Sequence, residues 1–238
     1  MELSIRGRGR TAARHAFAAI GYTRAMSTRV IVLRHGQTYG NIEQLFCGHS
    51  ETDLTPLGVA QARAAGRRLA GETLDGAVAS DLSRARKTAE YALGEAAGAP
   101  TLAIDPRLRE MHYGDWEAHP APTLVERYRD HMREFFACRQ HAPNGESFTA
   151  IRERMSEAFH DAVRQHQGGT VLLVTHGNAI MALVAELLRM PIEATWSTHF
   201  DNCSLTRFVV SGSGRVTLTA SNETGHLETE PAGLPDLP

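Results

Sequence analysis

The sequence predicts a three-layer α/β/α sandwich with a mostly parallel central sheet, on three observations. Short β-branched runs recur along the chain, each is followed by a segment with helix caps or apolar spacing of three and four residues, and no internal repeat or low-complexity stretch interrupts the alternation. A chain of 238 residues can bury one full core, and a single domain is expected over residues 27–221.

Residues 29–33 (RVIVL) are the first strand, running directly into Arg34-His35-Gly36. Thr55 as N-cap and Pro56 at the first helical position open a helix that stops before Gly71. A second strand at 75–79 leads to Ser80 or Asp81 as the cap of a helix over 82–97, and 101–104 is a third strand. A helix over 122–139 precedes a Pro-Asn-Gly turn at 143–145. The clearest helix spans 147–167, where Phe148, Ile151, Met155, Ala158, Phe159, Ala162 and Val163 form one apolar face. Strand 170–174 and helix 178–189, closed by Pro191, follow, then a hairpin of 204–210 and 215–219 around Ser-Gly-Ser-Gly.

Both ends read differently. In the first 25 residues Arg6, Arg8, Arg10, Arg14 and Arg24 face only Glu2, with no apolar signal core. Residues 1–26 are expected to be a disordered arm or to lie upstream of the true start, in preference to a targeting peptide. Residues 222–238, acidic and with three prolines, are expected to be disordered.

Composition excludes several functions. A formal net charge of −2 argues against a nucleic-acid partner, and no apolar run reaches the roughly 20 residues of a membrane span. Cys47, Cys138 and Cys203, odd in number and without CxxC spacing, read as reduced thiols of a cytoplasmic protein. His112 with His119, and His160 with His166, lack metal-ligand spacing and read as surface histidines, so no metal is expected.

Phosphoryl transfer needs a nucleophile, donors for three non-bridging oxygens, and an acid for the departing oxygen. Five segments offer these. Arg34-His35-Gly36-Gln37-Thr38, with Asn41, places a nucleophile beside a planar donor fork at a strand end. Gly36 would let backbone approach an anion. Thr175-His176-Gly177-Asn178 repeats His-Gly after another strand; if the two strands are parallel neighbours, both imidazoles face one crevice. Arg84, in Ser-Asp-Leu-Ser-Arg-Ala, sits in the first turn of a helix, where a cation gains nothing from the dipole unless an anion binds. Glu110, followed by Tyr113-Gly114-Asp115-Trp116-Glu117, supplies a carboxyl group, and Gly145-Glu146-Ser147 opens the long helix.

With these elements in this order, over roughly 29–208, the chain resembles the histidine phosphatase superfamily, in its phosphoglycerate mutase-like branch. The resemblance implies that fold and a metal-independent phosphatase without cofactor, acting on small phosphorylated metabolites. It implies His35 as the nucleophile, with Arg34, Arg84 and His176 clamping phosphoryl oxygens and Asn41 as a further donor. Glu110 would protonate the leaving group and then activate water. Thr38, Gly36, Gly177 and Glu146 complete the expected substrate-binding set, with Glu146 either orienting an arginine or serving as an acidic first-turn residue. The attacking nitrogen of His35 must be unprotonated, so its other nitrogen should donate to a backbone carbonyl; His176, as a clamp, is expected to serve better protonated.

Two alternatives stand beside hydrolysis. One is a 2,3-bisphosphoglycerate-dependent mutase, disfavoured because the stretch holding Arg127, Arg129, Arg133 and Arg139 is short and lacks the mutases' paired arginines. The other is an inactive phospho-ligand-binding module, disfavoured because every nucleophile and clamp residue is present. Residues 43–51, the aromatics Tyr113, Trp116, Tyr128, Phe135 and Phe136, and His199 are expected to shape the pocket. Whether the chain forms a homodimer is left open.

Overall fold

Strand β1 (Thr28–Arg34) sends Val30 and Val32 to one side of a sheet and Ile31 and Leu33 to the other, and all four are buried. A strand apolar on both faces needs helices above and below it. The computed structural model, which describes residues 27–227, supplies them. The six strands lie in the order β3-β2-β4-β1-β5-β6. Here β2 is Gly76–Ala79, β3 Leu102–Ile104, β4 Thr170–Thr175, β5 Leu205–Val210 and β6 Val216–Glu223. The first four strands run parallel; β5 and β6 join the other edge antiparallel.

After β1 comes one short helical turn, α1 (Tyr39–Ile42), which the sequence pattern does not reveal. Helices α2 (Pro56–Leu69) and α3 (Ser83–Leu93) then cover one face, with Ala62, Ala65, Ala85, Ala89 and Ala92 against Ile31 and Leu33. Small residues allow that closeness: a Cβ at Gly66 would lie 2.3 Å from the carbonyl oxygen of Ala92. On the other face lie α4 (Ala121–Arg127), α5 (Arg129–Phe136), α6 (Phe148–Gln165) and α7 (Gly177–Leu187). The apolar stripe of α6 packs there with an aromatic cluster that includes Trp116 and Phe135. None of the described helices is long and apolar enough to cross a membrane.

Three expectations change. Helix α3 starts at Ser83 with Leu82 as its cap residue and ends at Leu93. Neither Ser80 nor Asp81 is the cap residue: Ser80 Oγ accepts from Leu82 N and meets His176, and Asp81 holds Arg109. The expected helix over 122–139 is two helices that meet at Tyr128, whose φ of −126° and ψ of 34° leave the helical region. Strand β6 runs to Glu223: Asn222 exchanges hydrogen bonds with Asp201 (2.7 and 2.8 Å), and Glu223 pairs with Arg207 (2.6 Å). The disordered tail expected from residue 222 therefore does not begin there. The expectations for 1–26 and 228–238 lie outside the described residues.

Parallel register sets the site. Arg34 is level with Thr175, and Ala79 with Val174, so the loops after β1, β4 and β2 leave the sheet from one edge.

Candidate active site

The loop after β1 is fixed by its backbone. The N–H of His35 donates to Thr175 O (2.9 Å), and the N–H of Cys203 donates to the carbonyls of Arg34 (3.1 Å) and His35 (3.2 Å). Asn202 Nδ2 adds a bond to His35 O (3.0 Å). Within this clasp His35 Nδ1 lies 2.7 Å from Gly36 O. A carbonyl only accepts, so the network assigns the proton to Nδ1 and leaves a lone pair on Nε2. Burial first, then Arg84 and Arg34, push the His35 pKa well below its ordinary value, so the ring is neutral.

The His176 ring centroid lies 5.1 Å from that of His35. Its Nε2 meets Ser80 Oγ at 2.9 Å, and its buried Nδ1 has no partner among the described residues. Ser80 Oγ also accepts from Leu82 N (3.3 Å), so its hydroxyl proton is free to point at Nε2. A hydroxyl donating there would leave the ring hydrogen of His176 on Nδ1. Burial, then Arg84, His35, Arg154 and Arg34, push this pKa well below the ordinary value too. Burial and the neighbouring cations thus favour a neutral His176 ring.

Arg34 and Arg84 bring the positive charge. Arg34 Nη1 donates to Phe200 O (2.5 Å), and the guanidinium passes over Gly177, where a Cβ would stand 3.2 Å from Nε. Arg84, 1% exposed, donates to Gly48 O (2.6 Å) and Ser50 O (2.9 Å). Among the described residues neither arginine has a salt-bridged carboxylate. Two largely buried cations on one hollow, held only by carbonyls, make a strong demand for an anion.

The carboxylate of Glu110 sits on the N-terminus of α7. Its Oε1 accepts from Met111 N (2.8 Å) and Ala179 N (2.9 Å), and its Oε2 from Asn178 N (3.1 Å). Arg34, His35, Arg84, Glu110, Asn41 and Gly177 all line one hollow of about 420 Å³. Asn41 Oδ1 accepts from Thr38 N (3.0 Å) and Asn202 Nδ2 (3.3 Å), which fixes the orientation of its amide. Thr38 also lines the hollow, but its hydroxyl caps α1 through Asn41 N (3.1 Å).

Gly36 does other work than expected, and Glu146 takes the first of its two expected roles, on an arginine outside the hollow. A Cβ at Gly36 would lie 2.4 Å from Gly58 O, and its N–H donates to Thr88 Oγ1 (3.0 Å); its smallness serves strand-to-helix packing, not approach to an anion. Glu146 is outside the hollow and holds Arg154 through both oxygens (2.6 and 2.8 Å). Arg154 in turn donates to the carbonyls of Arg107 and Arg109 (both 2.7 Å) and Glu110 (2.9 Å). Arg154 was not legible as a site residue, since an arginine eight residues into an amphipathic helix reads as solvated surface.

The pocket wall also differs from expectation. Of the five aromatics expected from residues 113–136 only Tyr113 lines the hollow, beside Phe46; Trp116 and Phe135 are core, and His199 pairs with Asp201 (3.1 Å). Residues 44–48 do line it, Cys47 among them. Glu117, flagged only as part of a motif, anchors that loop by accepting from His49 N (2.8 Å) and Ser50 Oγ (2.6 Å).

Comparison with known proteins places this geometry. The model of the histidine phosphatase superfamily (branch 1) matches residues 30–224. A Yersinia pestis protein named "Probable phosphoglycerate mutase GpmB" is 33% identical over 181 residues, 75% of this chain and 83% of the relative. The structure of YhfR from Bacillus stearothermophilus is 32% identical with a TM-score of 0.79, covering 84% of this chain and 100% of that one. A mycobacterial glucosyl-3-phosphoglycerate phosphatase, solved with VO3, is 32% identical with a TM-score of 0.75, covering 82% and 99%. This chain belongs to the histidine phosphatase superfamily, branch 1.

Proposed function

We propose that the chain hydrolyses small-molecule phosphomonoesters through a phosphohistidine on His35. The observation that carries this reading is the bare, buried Nε2 of His35 in a hollow with two guanidinium groups that lack carboxylate partners and one carboxylate. In the first step Nε2 forms a bond to phosphorus while the ester P–O bond breaks, and Glu110, entering the step as the carboxylic acid, gives its proton to the departing oxygen and becomes the carboxylate. In the second, water attacks phosphorus, the N–P bond breaks, and Glu110 takes the proton of the water. Arg34, Arg84, the Nδ1–H of His176 and the Asn41 amide hold the non-bridging oxygens, where fixed donors act most strongly on developing charge. Gly36, Thr38, Gly177, Glu146 and Arg154 shape this arrangement without reacting.

The chemistry uses no metal step, so EDTA should leave phosphate release unchanged. Rapid quenching with a labelled ester should trap an acid-labile, base-stable phosphoenzyme that is absent from His35→Ala. Turnover without that species would sink the reading.

A phosphoglycerate mutase is the second reading, favoured by the name of the Yersinia relative. Both share the phosphoenzyme and differ in its fate. Interconversion of phosphoglycerates that outpaces phosphate release, dependent on 2,3-bisphosphoglycerate, would select the mutase.

A further inference from the structure

Beyond the phosphoryl-binding end, the hollow is a wall with no positive charge. Its outer part is formed by Gln44, Leu45, Phe46, Cys47, Gly48 and Ala121. Among the described residues that line it, the only arginine or lysine side chains are Arg34 and Arg84, both already at the phosphoryl end beside His35. A phosphomonoester dianion uses both.

Four of the wall's six backbone N–H groups are spent within the fold. The N–H of Gln44 donates to Asn41 O (3.3 Å), that of Leu45 to Gly40 O (2.9 Å), and that of Phe46 to His119 O (3.1 Å). The N–H of Ala121 donates to Gln44 O (2.9 Å). These four donors are already spent and offer nothing to a second anion. Behind Gly48 stands Glu117: a Cβ there would lie 2.1 Å from its Oε1, so this side of the wall is negative. Surrounding surface continues the apolar character. Tyr39 and Ile42, on the helix just before the wall, are 49% and 59% exposed, and Val125, one turn beyond Ala121 on α4, is 42% exposed. Apolar side chains exposed on the helices that flank a polar site suit a ligand with an apolar body.

We infer that the substrate is a phosphomonoester whose leaving group is uncharged and largely apolar, an aryl or medium-length alkyl group without a second carboxylate or phosphate. The inference rests on the hydrolytic reading for its chemistry, but the wall's preference is independent of turnover. Neutral hydrogen-bonding groups on the leaving group are accommodated, because Gln44, Asn178 and Tyr113 lie in the same hollow. A second anion would lose its hydration without gaining a cation.

The test pairs ligands that differ by one charge. Binding of n-butylphosphonate and 3-carboxypropylphosphonate to the purified full chain is measured by calorimetry, and turnover of n-butyl phosphate and 3-carboxypropyl phosphate by phosphate release. The uncharged member should bind at least tenfold more tightly and show at least a tenfold higher kcat/KM. Leu45→Arg, and separately Ala121→Arg, should shift each ratio about tenfold toward the carboxylate member, and a ratio is not moved by a general loss of folded protein. Equal or tighter binding of the carboxylate member by the unsubstituted chain would overturn the inference. If the phosphonates show the preference but no ester is turned over, the wall is as described and the hydrolytic reading alone fails.

Discussion

Two neighbouring strands, β1 and β4, each end in His-Gly, yet the two imidazoles are wired in opposite senses. His35 gives its Nδ1 hydrogen to a carbonyl one residue away and keeps a lone pair on Nε2. His176 meets a serine hydroxyl at Nε2, an arrangement that suits a hydrogen on Nδ1, and Nδ1 has no partner among the described residues. Same residue, same flanking glycine, same sheet edge: the tether chooses the role. On the proposed reading the carbonyl tether suits a nucleophile and the serine tether a donor. The arrangement needs no positive charge on either ring, and the buried arginines around them favour neutrality.

Removing each histidine tests this contrast most directly. His35→Ala should lower kcat by at least about 10⁴-fold, since the group that forms the covalent bond has no substitute. A surviving rate within tenfold of the unsubstituted chain would refute its role. His176→Ala should cost less, about 10²- to 10³-fold, the usual effect of removing one donor to developing charge. The phosphoenzyme should still form in that variant, only more slowly. Its complete absence would make the two rings equivalent and break the comparison.

The tethers themselves come next. Glu146→Gln weakens the grip on Arg154, which holds the carbonyl of Glu110. About a tenfold loss is expected on alkyl phosphates and little on p-nitrophenyl phosphate, whose leaving group needs no proton. Equal losses on both would mean that Glu146 only stabilises the fold. Ser80→Ala removes the hydroxyl that fixes the His176 tautomer, and should reduce kcat by roughly three- to tenfold with a smaller change in KM. A change confined to KM would show that the tether sets binding alone.

The same contrast explains what the sequence discloses. The succession of strands and helices along the chain follows from β-branched runs and helix caps, and His35, His176, Arg34 and Arg84 stand out because they sit at strand ends or a helix start, with Glu110 in a loop. Tethers are different. Ser80, Arg154 and Glu117 act through contacts across 96, 44 and 68 residues of chain, which no local spacing records. Gly36 shows the converse error: a glycine beside a nucleophile suggests anion approach, yet the nearest atom is the carbonyl of Gly58 on α2. Helix breaks fail for a related reason, since nothing in the residues around Tyr128 forbids a helix. The final strand was legible only as far as its hairpin periodicity; Asn222 and Glu223 are polar, and their partners Asp201 and Arg207 lie far back in the chain.

Acid stability gives the smallest effect and the finest test of the comparison. Both rings titrate well below the ordinary histidine value of 6.5 in the folded chain, so in the window just below 6.5 the unfolded chain binds more protons than the native one. The sign follows: the stabilisation is fully present above pH 6.5 and is lost as pH falls toward the native pKa values. Each ring contributes at most about 1.4 kcal/mol per pH unit. His49, His160 and His226 are also lowered, with burial as the largest cause, and add to the total slope. Differences between variants isolate the pair. Denaturant unfolding of the unsubstituted chain, His35→Asn and His176→Asn between pH 6.5 and 5, in buffer without phosphate, should give a slope shallower by nearly one proton for each variant. If only the His35 variant flattens the slope, His176 is charged in the folded chain, its serine tether does not set a neutral donor, and the two strand ends differ by charge instead of by tautomer.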